Sequence, residues 1–243
     1  MRRVAWGITG GGQHLAESVE AMRKVAALHS VCTFVSRAGE EVLRMYGLLD
    51  RLHEISRGSY LEEVFLESKS GSSFPMTGRL MLGRFDMLLI APATSNTVAK
   101  IACGIADTIV TNAAALAEKA EVPVLVLPTD VREAVTRAPY AVNRELCEAC
   151  KICPPQKACP RGAISGDEIR SIDLMLCDGC GTCLPLCSTG AIDAVRMNVR
   201  RRSIDIRNIE ILRERGYVIL ESPEEIPVAV ERVKINREMQ RTE

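Results

Sequence analysis

Aromatic residues are scarce, at 4% of the 243-residue chain, which argues against the stacking platforms that hold single-stranded nucleic acid. Net charge is missing too. The 31 lysines and arginines balance 31 aspartates and glutamates, so no global field points to nucleic acid or to an acidic membrane surface. No apolar run is long enough to cross a bilayer. The start, Met1-Arg2-Arg3-Val4-Ala5-Trp6, enters a glycine turn without the apolar region of a signal peptide. The expectation is a cytoplasmic protein with neither nucleic acid nor membrane as partner. Its length leaves room for one large domain or two modest ones.

Cysteine is abundant by contrast. Eight of the ten cysteines form two copies of one spacing, Cys147-x-x-Cys150-x-x-Cys153-x5-Cys159-Pro160 and Cys177-x-x-Cys180-x-x-Cys183-x3-Cys187-Ser188. Gly162-Ala163-Ile164 recurs as Gly190-Ala191-Ile192, so two related half-modules are expected. Disulfide frameworks and paired zinc sites also use cysteine pairs. Neither requires a third cysteine at the same interval followed by a lone fourth. The doubled run resembles the bacterial-type ferredoxin module that holds two [4Fe-4S] clusters, in which the fourth cysteine of each run ligates the other cluster. That resemblance implies one cluster on Cys147, Cys150, Cys153 and Cys187, and another on Cys177, Cys180, Cys183 and Cys159. The first copy has a longer spacer before its fourth cysteine, and Ser188 stands where the pattern has proline. Both departures point to a longer loop near one cluster.

The rest of the chain reads as α/β, a doubly wound, mostly parallel sheet. Val4 to Ile8 is a short buried strand, followed by Thr9-Gly10-Gly11-Gly12 and an amphipathic helix from Leu15 to Leu28. Strand, glycine turn and helix make a phosphate cradle, with backbone N–H groups and the positive helix end available to a dianion. Plain strand-to-helix packing uses such turns as well. Leu15 spoils the dinucleotide fingerprint, and strand Val31 to Val35 ends in Ser36-Arg37 where an NAD site would want an acid. A hydroxyl and a cation suit a terminal phosphate, so FMN fits better than NAD, with NADP as an alternative. Glu40 to Leu52 reads as a second helix, and Ser56 to Ser73 stays unassigned. Phe85 to Ile90 and Val122 to Leu127 have the continuous apolar character of central parallel strands. Their ends, Ala91-Pro92 and Pro128-Thr129-Asp130, lie at the edge where open α/β sheets bind ligands.

Between those strands, Pro92-Ala93-Thr94-Ser95-Asn96-Thr97 and Gly104-Ile105-Ala106-Asp107 resemble the signature of the flavoprotein family of homo-oligomeric flavin-containing cysteine decarboxylases. The resemblance implies that Ala91, Thr94, Ser95, Asn96 and Thr97 join Thr9, Gly10, Gly11, Gly12 and Ser36 around FMN. A plain Ser/Thr helix cap would leave much the same local pattern. The decarboxylases carry a histidine before this motif, whereas Ser72 to Arg79 contains none. Trp6-Gly7-Ile8-Thr9-Gly10, together with the cysteine module, is similar to the archaeal dihydromethanopterin reductase group. That similarity implies hydride transfer from FMN to a pterin substrate, with electrons entering singly from a low-potential donor such as ferredoxin. The family also implies a homo-oligomer built on trimers. A non-catalytic electron-transfer protein remains the rival class.

Past the cysteines, Asp205 reads as a helix cap with Ile204 and Ile209 as a hydrophobic staple. The helix stops at Gly216 before strand Tyr217 to Leu220. One helix and one strand are not stable alone, so they are expected to complete the first sheet. The organisation is then residues 1–140 and 199–243 as a flavoprotein domain, with 141–198 as an inserted ferredoxin domain. Cys32 and Cys103 are expected to be buried, inert thiols. His14 is expected to be structural. Arg196, Arg200, Arg201, Arg202 and Arg207 form a basic run that suits solvent or an acidic partner.

Overall fold

The computed structural model describes residues 1–131, 134–148 and 150–233, without the side chains of 134–138, 195–197 and 199. The chain opens with β1 (Arg3–Ile8), α1 (Leu15–Ala26) and β2 (Ser30–Val35), in the expected order. The expected single helix from Glu40 to Leu52 is two, α2 (Arg37–Met45) and α3 (Leu49–Ile55). Gly47 breaks it by taking φ +65°. The Leu48 N–H then donates to the Leu43 carbonyl at 2.8 Å and Gly47 to Arg44 at 3.0 Å, the hydrogen bonds of a left-handed glycine stop.

The unassigned stretch yields only the short β3 (Val64–Leu66) and a 3-10 turn over Glu67–Lys69. Then come β4 (Met87–Ala93), α4 (Ser95–Ala102), α5 (Ile109–Lys119) and β5 (Val124–Pro128). β6 (Ala134–Val142) leads out to the cysteine segment. That segment contains α6 (Pro154–Ala158) and a hairpin of β7 (Ile164–Ser165) with β8 (Ser171–Ile172). β9 (Ile192–Val199) returns antiparallel to β6. The expected boundary at 140/141 therefore falls inside β6, because the two connecting strands pair as one ribbon.

α7 (Ser203–Glu214), β10 (Val218–Ile219) and α8 (Ile226–Arg232) complete the chain. β10 pairs parallel with β5, giving a six-stranded sheet in the order β10-β5-β4-β1-β2-β3. The pairings within it are all parallel. The strand order reverses between β1 and β4, the position where open α/β sheets form their ligand crevice.

Both faces of the sheet are covered. Along β1 the side chains alternate, Ala5 entering one core with α4, α5 and α7, and Val4, Trp6 and Ile8 entering the other with α1, α3 and α8. Strands buried on two sides need apolar residues throughout, and β2 and β4 are buried along their whole length.

Two local expectations change at the C-terminal return. α7 begins at Ser203 with Arg202 as its cap residue, and Asp205 sits one turn in, its carboxylate accepting the Arg202 N–H at 3.3 Å. Asp205 is thus the residue that reaches back to the cap, and Ile204, expected to pack on Ile209, is exposed. Gly216 does stop the helix, with Tyr217 N–H bonded to Leu212 carbonyl at 3.0 Å. Leu212 itself is fully buried among residues of α4 and α5. Leu212→Ala is expected to destabilise the sheet domain by about 2–5 kcal/mol. Chemical denaturation followed by tryptophan fluorescence, which reports on buried Trp6, checks this; an unchanged midpoint would mean that α7 is not part of the core.

Candidate functional site

The ends of β1, β2, β4 and β5 open onto one cavity of about 830 Å³. Four helices start beside it. The Thr9–Gly12 turn leads into α1, and Ser36, Thr94 and Thr108 occupy the cap positions of α2, α4 and α5. Ser36 Oγ accepts the Gly39 N–H at 3.0 Å, and Thr94 Oγ1 accepts that of Thr97 at 3.2 Å. Helix N-termini carry partial positive charge, so their convergence favours an anion.

A small clasp fixes the β1 and β4 ends together. Thr9 Oγ1 donates to the Pro92 carbonyl at 2.8 Å and accepts the Thr94 N–H at 2.9 Å. Across the cavity, Gln13 Oε1 accepts the Asp130 N–H at 2.9 Å. Close walls explain the glycines. A Cβ on Gly11 would lie 2.9 Å from Thr129 Cγ2, and one on Gly12 would lie 2.5 Å from Tyr46 Oη.

Of the cofactor residues expected from sequence, Thr9, Gly10, Gly11, Gly12, Ser36, Thr94, Ser95, Asn96 and Thr97 line this cavity. Ala91 does not. It is fully buried inside β4, and its carbonyl accepts the Trp6 indole N–H at 2.9 Å. The strand runs on to Ala93 rather than ending at Ala91-Pro92, which places the polar loop two residues later. Residues that sequence reading missed include Tyr46, Lys100 and Thr108. Thr108 could have been found as a cap residue before the alanine-rich helix. Lys100 is held by Asp107 at 2.8 Å, so the aspartate of the Gly104–Asp107 segment could have pointed to it.

His14 stands outside the lining, in the left-handed region at φ 63° before α1. Burial holds its imidazole pKa below the usual value despite the raising influence of Glu17, Glu224 and Asp130. The histidine-free stretch before β4 is tied down by Thr77, whose hydroxyl donates to Asn112 Oδ1 at 2.6 Å.

The cysteines of the inserted segment gather around two small cavities. Cys159, Cys177, Cys180 and Cys183 line one; Cys147, Cys150, Cys153 and Cys187 line the other. Each set takes three thiols from one sequence run and the fourth from the other. Among the described residues no three His, Cys, Asp or Glu side chains close on a single metal-ion position. All-thiol sets arranged around a void fit a cube of iron and sulfide better than one ion.

Hydrogen-bond donors already face some of these sulfurs. The Ala163 N–H donates to Cys159 Sγ at 3.3 Å. Burial pushes the Cys187 thiol up, but the Thr189 hydroxyl and the N–H groups of Thr189, Ala191 and Ile192 bring its pKa below the usual value. For Cys177 and Cys183 burial dominates, and both are raised.

Outside the module, Cys32 is buried as expected, whereas Cys103 is exposed beyond the end of α4, contrary to expectation. The basic run is exposed at Arg200, Arg201 and Arg207, with Arg202 paired to Asp205 at 2.7 Å. The Arg196 side chain lies outside the described set.

A family model described as Flavoprotein matches residues 1–158, and one described as 4Fe-4S binding domain matches residues 170–193. Two curated relatives carry the name dihydromethanopterin reductase (acceptor). The one from Methanosarcina mazei is 48% identical, over 93% of this chain and 97% of its own length. The one from Methanocaldococcus jannaschii is 43% identical over 92% and 94%. Among solved structures, Burkholderia xenovorans DmrB in complex with FMN, described as a cubic protein cage for redox transfer, is similar with a TM-score of 0.61. It is 28% identical, with 95% of this chain and 93% of that one covered.

The two outlying cysteines make the burial pattern testable. Burial, with the Glu63 carboxylate adding to it, pushes the Cys32 thiol up to about 12. It therefore stays protonated at neutral pH, and only thiolates react quickly. Pulsed alkylation of the folded protein at pH 8 with peptide mass mapping is expected to modify Cys103 and spare Cys32; equal labelling would contradict the packing.

Proposed function

The chain belongs to the flavoprotein family that includes the archaeal dihydromethanopterin reductases, and from that membership we propose that it is an FMN- and iron-sulfur-dependent oxidoreductase. Its substrate is a dihydropterin, dihydromethanopterin reduced to tetrahydromethanopterin, and its electrons come from a low-potential one-electron donor such as ferredoxin. The observation that carries this reading is that the strand leading to the cysteine module and the module itself both reach the cofactor cavity wall. Pro139 of β6 and Leu174, which precedes Cys177 in the module, both line it.

Thr9 to Gly12 and Ser36, at the starts of α1 and α2, hold the FMN phosphate in this reading. Thr94, Ser95, Asn96 and Thr97 hydrogen-bond the ring system from the start of α4. Cys159, Cys177, Cys180 and Cys183 hold one [4Fe-4S] cluster, and Cys147, Cys150, Cys153 and Cys187 the other. Bound flavin supplies the conversion between single electrons and a hydride pair. Residues 1–140 and 199–243, of which 234–243 lie outside the described residues, are the flavoprotein domain in this reading, with 141–198 inserted and the β6–β9 ribbon running across both boundaries. The cavity volume of about 830 Å³ is near the upper end of ordinary small-molecule sites, roughly 300–1,000 Å³, which leaves room for substrate beside cofactor and favours an enzyme over a relay.

A cage of cubic symmetry contains threefold axes, so a homo-oligomer built on trimers suits this chain as well. Among the described residues no helix is long and apolar enough to cross a membrane. Thiolates that must stay reduced suit the cytoplasm.

Anaerobically prepared protein is expected to carry about eight irons and one flavin per chain. Its flavin, once reduced, is expected to be reoxidised by dihydromethanopterin with tetrahydromethanopterin as product. If no dihydropterin reoxidises it faster than buffer, the reductase reading fails. Gly11→Val, which drives a side chain into Thr129, is expected to lose flavin while keeping its iron; flavin retained at full occupancy would move the cofactor elsewhere.

A further inference from the structure

The two thiol cavities are not equivalent in their relation to the cofactor cavity. The Cys177–Cys180 loop lies directly on the end of α2. A Cβ on Gly179 would collide with the Met45 carbonyl oxygen and come within 3.2 Å of the Tyr46 carbonyl carbon. From the other side, a Cβ on Gly47 would lie 3.0 Å from the Asp178 carbonyl oxygen. Met45 and Tyr46 line the cofactor cavity.

A second strand of contact runs beside the first. Tyr140 lines the Cys159 cavity, 3.4 Å from where a Gly181 Cβ would be, and its neighbour Pro139 lines the cofactor cavity. Among the described residues no such glycine contact joins the other thiol cavity, whose walls include Val142, Pro155, Arg170 and Ile192, to a residue of the cofactor cavity.

We infer that the cavity of Cys159, Cys177, Cys180 and Cys183 is the inner redox station, and that Gly47 and Gly179 are positioning residues whose bare backbones let it touch the cofactor cavity wall. The cavity of Cys147, Cys150, Cys153 and Cys187 is the outer station, where electrons enter. This order rests on the cofactor assignment above. Clusters held by these thiols would supply electrons singly, and a flavin in the cavity would take two of them with protons from solvent, so a ferredoxin-type donor would have to refill them through the outer thiol set.

The sequence supplies a matched control. Gly162, three residues after Cys159, has φ +61° and nothing within 4 Å of a Cβ position. Gly162→Ala therefore carries the same backbone strain as Gly179→Ala (φ +68°) without the collision. The readout is anaerobic stopped-flow mixing with reduced ferredoxin, a donor too large to enter the cavity, with cluster and flavin bleaching followed separately. Iron and flavin per chain are measured first.

In Gly179→Ala and Gly47→Ala the clusters are expected to reduce at the wild-type rate. Flavin reduction should slow about tenfold or more, since misplacement on the order of 1 Å is enough for effects of that size. Gly162→Ala is expected to match wild type. Should the loop of Gly179→Ala fail to hold iron, Gly47→Ala, which lies outside the cysteine module, carries the test. Unchanged flavin reduction in Gly47→Ala, or equal slowing in Gly162→Ala, would overturn the order. Wild-type clusters that reduce while the flavin stays oxidised would instead remove the function on which the order rests.

Discussion

Backbone contact between the Cys177–Cys180 loop and the end of α2 sets how near the thiols come to the cofactor cavity. Side chains can shift, but a glycine on a carbonyl oxygen leaves little slack, since a Cβ on Gly179 would meet Met45 O. Everything larger in the architecture serves to keep that contact in place. β6 and β9 pair along most of their length and carry the cysteine segment out and back as one ribbon. α7 and β10 then close the sheet against β5. Because the chain leaves and re-enters the same domain, the module is held at both ends rather than hung from a linker.

The cavity follows from the sheet. Parallel strands must be joined by crossover helices, and at the reversal between β1 and β4 the helices diverge to opposite faces. Caps that each helix needs in any case, Ser36, Thr94 and Thr108, then face one space. Hydroxyls already engaged by backbone N–H groups are fixed in direction, so a cofactor meets a preorganised surface. Tyr46 and Met45 connect this space to the module, at the end of a helix that stops where Gly47 turns left-handed.

Much of this was legible in the sequence, for physical reasons that differ between elements. The four strands β1, β2, β4 and β5 announce themselves as apolar runs because both their faces are buried. The grouping of the eight cysteines came from the resemblance of the doubled spacing to a ferredoxin module, since local spacing brings together only the first three thiols of each run and Cys159 and Cys187 each join the other run's cavity. Ala91 was misplaced because nothing local shows that β4 runs to Ala93 or that the Trp6 indole takes its carbonyl. The single helix expected over Glu40 to Leu52 ignored Gly47, whose left-handed turn lies 3.0 Å from the Asp178 carbonyl at its Cβ position, a contact more than a hundred residues away in the chain. Asp205 was read as a cap, when a carboxylate two or three residues into a helix can equally reach back to it. Cys103 was assigned to the core by its apolar neighbours, yet it falls at the end of α4 where the helix face has already turned outward.

Iron-edge anomalous diffraction from anaerobically grown crystals of the loaded protein tests most directly whether thiolate-held cubes stand in contact range of a flavin. Two four-iron peaks are predicted, one within each thiol cavity, with the peak at Cys159, Cys177, Cys180 and Cys183 nearer to isoalloxazine density at the ends of β1 and β4. Single-ion zinc peaks in their place, or flavin density nearer to the Cys147 set, would contradict it.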